Sequence, residues 1–150
     1  MEGMEHARAL RALLRAERSG MLSTLSLRHA GAPFGSVVPY ALWDSGEPVL
    51  YLSDLAAHTQ NLRADPRCSL LVSDSTSGLA QPARATLVGR CAGMAAADAG
   101  RAAFAARHPS SEALQLPGFA PFLLSVEEIR WIGGFAAAAW LGPHQLRGVD

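Results

Sequence analysis

The sequence predicts an α+β fold, a small antiparallel β-barrel accompanied by helices. Its 150 residues suit one domain, and a hydrophobic fraction of 49% gives that domain a core. Short apolar segments alternate with turn residues, and the short connections between them favour antiparallel neighbours. Roughly five or six short strands at this length favour closure into a barrel, because closure leaves no exposed sheet edge.

The first half of the chain reads as a helix, three strands in a meander and a short helix. Leucines at helical spacing predict a helix over 6–18, with Gly20 as its C-cap. Asp54 is the predicted N-cap of the short helix 55–64, which Pro66 ends. Pro39 has no N–H, so it is expected at an edge or a bulge. The three strands are predicted over residues 21–28, 34–43 and 49–53.

The second half adds more strands, an alanine-rich helix and a polar tail. The helix is predicted over 95–107 and an exposed loop over 74–82. The whole chain, 1–150, is expected to be one domain, with the N-terminal helix within 1–19 and the tail at 142–150. The strands of this half are predicted over residues 67–73, 84–91 and 122–131.

Composition excludes several classes of function. The formal net charge is +0 and only 17% of residues are charged, so neither nucleic acid nor an anionic membrane is an expected partner. The chain has no lysine, which excludes a Schiff base with pyridoxal phosphate and a P-loop lysine. The longest apolar run, 135–141, is too short to span a bilayer. Because the chain opens on polar residues, a cytoplasmic location is expected.

The two cysteines, Cys68 and Cys91, lie in separate apolar, strand-like segments. They are expected to be buried, reduced thiols. The histidines are scattered along the sequence, so no zinc site is predicted.

Polar residues gather after the third predicted strand. Ser53 ends that strand, and His58, Thr59 and Asn61 lie on the short helix with Arg63. Hydroxyls, a histidine and an arginine can hold a phosphate without any lysine. On the residues alone a solvated helix face explains the same pattern, and such faces are more common than phosphate sites.

The segment 36–74 resembles the flavin-binding core of the pyridoxamine 5′-phosphate oxidase-like split β-barrels. The residues that carry the resemblance read GSVVPY at 35–40 and SDLAAHTQNLRADPR at 53–67. GMLSTLS at 20–26, RATLVGR at 84–90 and RWIGGFAAAAWL at 130–141 extend it over nearly the whole chain. The pattern is similar to the branch that contains haem-utilisation proteins and the cellular repressor.

The resemblance implies a Greek-key-like split barrel that binds FMN between the two subunits of a homodimer. It implies a flavin-dependent oxidoreductase, with no acid or base named. Ser53, His58 and Thr59 would face the flavin phosphate, and Asn61 would support their loop. Arg84 would reach the flavin from a neighbouring strand and Trp131 would lie near its ring. The residues that would line the isoalloxazine and ribityl side are Ser36, Val37, Val38, Pro39 and Tyr40.

The sequence departs from the true oxidases at two places. The basic pair that grips the phosphate there reads His58-Thr59 here, and the alanines after Phe135 replace the usual glycine and the basic residue after it. Oxidation of pyridoxamine phosphate is therefore not expected.

Two alternatives remain open at this stage. One is a haem-binding or haem-degrading protein on the same barrel, whose iron would need a histidine ligand, with His144 the first candidate and His58 the second. The other is a barrel that has lost its cofactor and acts as a binding protein.

Overall fold

The computed structural model describes residues 2–76, 78, 81–134 and 137–148. These residues form seven β-strands, three α-helices and two 3-10 helices. The helices α1 to α3 are Glu2–Ala16, Ala57–Ala64 and Ala97–Arg107, and the 3-10 helices are Glu112–Gln115 and Pro143–Leu146. The strands β1 to β7 are Ser19–Leu25, Pro33–Leu42, Pro48–Ser53, Arg67–Ser73, Arg84–Gly93, Phe119–Ile132 and Ala138–Leu141.

Six of these strands close into an antiparallel barrel. The sheet runs β3-β2-β1-β4-β5-β6-β7, and a further pairing of β3 with β6 closes the ring. Strand β7 pairs with the second half of β6 and lies outside the closed ring. The predicted α+β split barrel with antiparallel neighbours is confirmed.

The barrel interior is filled by the inward positions of each strand. Buried residues alternate with accessible ones along β1, β4 and β5, as expected for strands with one face in a core. Helix α1 lies at the end of the barrel where β1 begins, and Leu10, Leu13 and Leu14 join the core from it. Each such leucine contributes about 1.5–3 kcal/mol through burial.

Two further helices pack against the barrel. Helix α2 lies where β1 ends and adds Leu62 to the core. Helix α3 packs outside, against β2, β3 and β6, where Phe104 stacks on Tyr51 with ring centroids 5.2 Å apart. The helices therefore cover two ends and one side of the barrel and leave the rest of its outer surface open.

The predicted limits of two helices were wrong. Helix α1 ends at Ala16, and Gly20 is a buried strand residue whose missing side chain leaves room for Leu70. Helix α2 begins two residues later than predicted, with Ala56 at its N-cap, because Asp54 instead forms an ion pair with Arg63 at 2.6 Å.

The last predicted strand and the predicted tail also differ from the structure. The segment 122–131 is the middle of a strand that begins at Phe119, and a separate strand β7 follows it. The segment predicted as a polar tail contains the 3-10 helix Pro143–Leu146, and Leu146 is buried in the core.

Pro39 satisfies the restriction that its missing N–H imposes. It is the last residue of β2 that pairs with β1, opposite Ser19, and pairing with β3 begins at Tyr40. The strand thus changes partner at the proline, where no donor toward β3 is needed.

No helix in the described part of the chain is long and apolar enough to cross a bilayer.

Candidate functional site

One row of side chains crosses six neighbouring strands on the outside of the barrel. The pairing registers place its members opposite one another from β2 to β7, and four of the six lie between two buried residues of their own strand. This outer row consists of Val37, Met21, Leu71, Thr86, Arg130 and Trp140.

The outer row has an apolar half that faces solvent. Val37 is 75% exposed and Met21 49%, and half-buried Leu71 lies opposite Met21. A large apolar side chain that is exposed to water does not stabilise the folded state. Contiguous exposed apolar residues are therefore typical of contact surfaces. This half of the row can receive an apolar ligand or a second protein surface.

The other half of the outer row carries positive charge. The Arg130 guanidinium lies 4.9 Å from the centroid of the Trp140 ring, a cation–π arrangement. Arg84 is two residues before Thr86 on the same face, so it is a diagonal neighbour of Arg130. Arg84 donates to the Pro82 carbonyl at 2.9 Å. Within the described residues no carboxylate forms an ion pair with either guanidinium.

A second polar region lies inside the molecule, beneath α2. The side-chain nitrogen of Asn61 donates to Thr24 Oγ1 at 3.0 Å, and its oxygen accepts from the Leu27 N–H at 3.0 Å. These two bonds hold α2 to the end of β1 and to the turn that follows it. The members of this buried polar cluster are Thr24, Ser26, Thr59 and Asn61.

The N-terminal end of α2 holds an unpaired hydroxyl. Thr59 is fully buried, and its Oγ1 has no hydrogen-bond partner among the described residues. The N-cap residue Ala56 supplies no side-chain bond to the helix. His58 is half-buried, and desolvation lowers the pKa of its imidazole, so the ring is neutral at pH 7.

The predicted residues of β2 divide between the two faces of the strand. Val37 and Pro39 point outward, whereas Val38 and Tyr40 are buried in the barrel and Ser36 is half-buried. The Tyr40 hydroxyl donates to the Leu14 carbonyl at 2.7 Å and fixes α1 to the barrel. Burial raises the pKa of Tyr40 well above its usual range.

The other predicted site residues do not converge on one place. Trp131 is 2% exposed inside the core, with its indole nitrogen unpaired within the described chain, so it is absent from the outer surface. Ser53 accepts a bond from the Leu55 N–H at 3.2 Å. The structure therefore brings Arg84 and Val37 to the outer face, and His58, Thr59 and Asn61 to α2.

The histidines differ in their availability as ligands. His108 Nε2 donates to the Tyr40 carbonyl at 2.6 Å and its ring packs on Phe104, so it serves the fold. His29 is exposed in the turn between β1 and β2. His144 is exposed on the C-terminal 3-10 helix, four residues after Trp140 of the outer row.

Sequence reasoning missed most of the outer row. Met21, Leu71, Arg130 and Trp140 were not predicted as functional residues. The signal that could have found them is apolar residues at the outward positions of strands whose inward positions are apolar too. Only the register between strands shows that these positions form one row.

The comparison with known families agrees with the geometry. The family model described as "CREG, beta-barrel" matches residues 2–146, almost the whole chain. This chain belongs to the CREG β-barrel family. The family has the split barrel of the pyridoxamine 5′-phosphate oxidase-like proteins, which confirms the resemblance inferred from the sequence.

Two relatives of this family member have haem in their names. The non-canonical haem oxygenase HOZ, chloroplastic, of Arabidopsis thaliana is 35% identical over 142 residues, which are 91% of this chain and 43% of that protein. A haem-binding protein of Mycobacterium smegmatis has a TM-score of 0.83 at 29% identity, covering 94% of this chain and 59% of that one. The chain thus spans less than two thirds of either relative.

A more distant neighbour shows the fold alone. A putative pyridoxamine 5′-phosphate oxidase of Listeria innocua has a TM-score of 0.68 at 14% identity, covering 85% of this chain and 98% of that one.

Proposed function

We propose that this protein binds haem against its outer row, at the interface of a homodimer, and takes part in the oxidative breakdown of that haem. The observation that carries the proposal is the composition of the row, which is apolar at one end and carries guanidinium groups beside an indole at the other. Haem has the matching chemistry, a flat apolar macrocycle with two propionate carboxylates on one edge.

The guanidinium groups of the row suit the propionates. Arg130 and Arg84 lie on the same face of adjacent strands, and guanidinium binds carboxylate through paired charge-assisted bonds. The Trp140 ring, 60% exposed, offers an aromatic face beside them. The apolar side chains Met21 and Val37 extend the surface on which the macrocycle would pack.

His144 is the proposed iron ligand. Iron in haem is held by an axial side chain, most often histidine. His144 is exposed, and the 3-10 helix that carries it is fixed because Arg11 donates to the Gln145 carbonyl at 2.9 Å. A fixed helix loses less conformational entropy on binding than a free tail does. His58 is the second candidate, and its neutral ring is competent for ligation.

A second copy of this chain is the proposed partner for the apolar half of the row. Val37 and Met21 are exposed on neighbouring strands, and a symmetric dimer buries the same surface of both copies. Haem packed on the row would then lie between the two copies, with its macrocycle shielded from water.

The relatives support haem over other planar ligands. A 35% identical relative is named a haem oxygenase and a 29% identical one a haem-binding protein. Because this chain spans less than half of the first, the full activity of that protein is carried to this chain only as part of the proposal.

Haemin titration tests this function. Wild-type protein is expected to give a Soret band with one haem per chain, and Arg130→Gln to bind about 10–100-fold more weakly, since a charged hydrogen bond contributes roughly 1.5–3 kcal/mol. Arg101→Gln is the matched control, because Arg101 lies on α3 and donates to Leu114. Equal affinity of the Arg130 and Arg101 variants would contradict the assignment of the row.

The iron ligand and the reaction need separate measurements. His144→Ala is expected to shift the Soret band, and His58→Ala is expected to leave it unchanged. The reverse pattern would identify His58 on α2 as the iron ligand. With a reductant and oxygen the wild-type Soret band is expected to decay with release of iron. A Soret band that stays constant under those conditions would contradict haem breakdown but not haem binding.

FMN is a second candidate ligand, supported by the N-terminal end of α2. A helix N-terminus with no side-chain cap attracts anions, and the unpaired Thr59 hydroxyl beside it is a donor for a phosphate oxygen. FMN is then expected to bind at least tenfold more tightly than riboflavin, and Thr59→Val and His58→Ala to weaken FMN alone. Equal affinity for FMN and riboflavin would remove this candidate.

A further inference from the structure

The two cysteines form a pair in the barrel wall, on the inner face of β4 and β5. Cys68 lies opposite Gly89, and the Cys91 N–H donates to the Pro66 carbonyl at 2.9 Å. Cys68 and Cys91 are therefore diagonal neighbours on one face of adjacent antiparallel strands. Both thiols are free and buried.

The proximity of the two thiols makes them chemically unequal. Interaction with Cys91 lowers the pKa of Cys68, whereas interaction with Cys68 and burial raise the pKa of Cys91. Cys68 is thus the more nucleophilic sulfur, because the thiolate is the reactive form. Cys91 keeps its proton and lies beside it.

Each cysteine residue lines a cleft of its own. Cys68 lines an opening of about 260 Å³ together with Ser23 and Arg67. Cys91 lines one of about 400 Å³ between α2, α3 and β6, with Leu62 and Phe122 on its walls. A small oxidant in either cleft therefore lies next to one residue of the pair.

We infer that Cys68 and Cys91 form a reversible disulfide when a hydroperoxide reaches them, and that this closure displaces helix α2. In the first step the Cys68 thiolate attacks one peroxide oxygen and the O–O bond breaks. Cys68 becomes a sulfenic acid, and the second oxygen leaves as water or alcohol. In the second step the Cys91 sulfur attacks the Cys68 sulfur, the S–O bond breaks, and the hydroxide leaves as water with the Cys91 proton.

The diagonal placement explains why the bond would be reversible. Diagonal neighbours on antiparallel strands have Cα atoms about 7–8 Å apart, whereas a disulfide requires about 4.4–6.8 Å. Closure must therefore draw the beginning of β4 toward β5. Strained disulfides of this kind are more easily reduced than structural ones.

The same placement connects the bond to α2. Helix α2 ends at Ala64, and only Asp65 and Pro66 separate it from β4. A movement of the first residues of β4 is transmitted through this short connection to the helix. Since Asn61 holds α2 to the end of β1, the oxidised and reduced forms are expected to differ in the packing of α2.

Intact-protein mass spectrometry tests the inference. Folded, reduced wild-type protein is treated with hydrogen peroxide and then alkylated in denaturant. The expected product is a monomer that has lost two hydrogens and takes no alkyl group, and dithiothreitol restores two alkylatable thiols. Two alkylatable thiols after peroxide, a disulfide-linked dimer, or further oxidation to sulfinic acid would overturn it.

Single variants test the order of the two steps. Cys91→Ser is expected to accumulate a sulfenic acid at Cys68 that dimedone traps, and Cys68→Ser to label at least tenfold more slowly at Cys91. Equal labelling of the two variants would overturn the assigned roles. The wild-type mass measurement decides the disulfide itself even where a serine variant does not fold.

Hydrogen exchange of the wild-type protein tests the coupling to α2. Oxidation is expected to change the exchange of the amides of α2 while those of α1 keep their rates. Unchanged exchange in α2 would overturn the coupling.

Discussion

The outer row and the buried polar cluster each reverse the usual placement of apolar and polar side chains. In the cluster beneath α2, Asn61 and Thr24 satisfy each other inside the protein. In the outer row, Val37 and Met21 are exposed although they are apolar, and the Arg130 guanidinium lies against the Trp140 ring. Polar residues that resemble a ligand site in the sequence can instead stabilise the fold. Exposed apolar residues on the barrel, in contrast, offer a surface for binding.

Removing the Asn61 amide should have the largest effect on stability. Asn61→Leu leaves Thr24 Oγ1 and the Leu27 N–H without their partner, and each lost bond costs about 1–3 kcal/mol. We expect the free energy of unfolding in urea to fall by about 3 kcal/mol. Gln60→Leu, on the exposed side of the same helix, removes only a solvent-exposed bond to the Asp54 carbonyl and should change it by less than about 1 kcal/mol. Equal losses in the two variants would show that the cluster is not what holds α2.

A charge placed in the outer row should break the dimer and leave the fold intact. Val37→Glu puts a carboxylate into a surface that a second copy must desolvate, so dimer affinity should fall at least tenfold, about 1.4 kcal/mol. Light scattering against concentration measures this change. Leu55→Glu is the control, because Leu55 is 92% exposed and lies off the row. A monomeric wild type, or dissociation of both variants, would contradict a dimer interface on the outer row.

Replacing the unpaired hydroxyl of Thr59 should have a smaller effect of opposite sign. Thr59→Val keeps the shape of the side chain and removes a buried hydroxyl that has no hydrogen-bond partner among the described residues. The free energy of unfolding should stay the same or rise by up to about 1 kcal/mol. A loss of more than about 1 kcal/mol in urea unfolding would mean that the hydroxyl is bonded in solution.

The smallest expected effect concerns the surface pair of Asp65 and Arg67. Hydrogen bonds from Arg67 lower the pKa of the Asp65 carboxyl to about 2. A lowered pKa in the folded state stabilises the protein above the ordinary value near 3.8, and this stabilisation is lost as pH falls through 2. Asp65→Asn should therefore lower stability slightly at pH 7 and by less at pH 2, where part of the Asp65 carboxyl is protonated. Urea unfolding at both values measures it, and an equal change at both would contradict the pair.

The sequence alone was sufficient for the barrel and most of its strands, but not for the separate strand β7. The strand 67–73 was predicted with its observed limits, because a regular alternation of Cys68, Leu70 and Val72 marks one buried face. The ends of the helices were less predictable. Asp54 has the chemistry of an N-cap, but its carboxylate is taken by Arg63, which is nine residues away in sequence.

The site was less accessible to sequence reasoning because it depends on register. His58, Thr59 and Asn61 are neighbours in sequence, so their grouping was visible before the structure. Arg130 and Met21 are far apart in sequence, and only the pairing of four strands from β1 to β6 puts them in one row. The assignments of the flavin residues stay predictions until ligands are titrated.

Strand β6 also governs when this protein can fold during its synthesis. It pairs with β3 through its first residues, with β5 through most of its length and with β7 near its end. Until residue 119 has left the ribosome, β3 and β5 each present an unpaired edge to the surrounding solution or to other nascent chains. Open edges of this kind recruit further strands, so aggregation competes with closure throughout translation. Strand β6 thus closes the sheet formed by the strands before it, and the barrel is completed late rather than grown from its N-terminus.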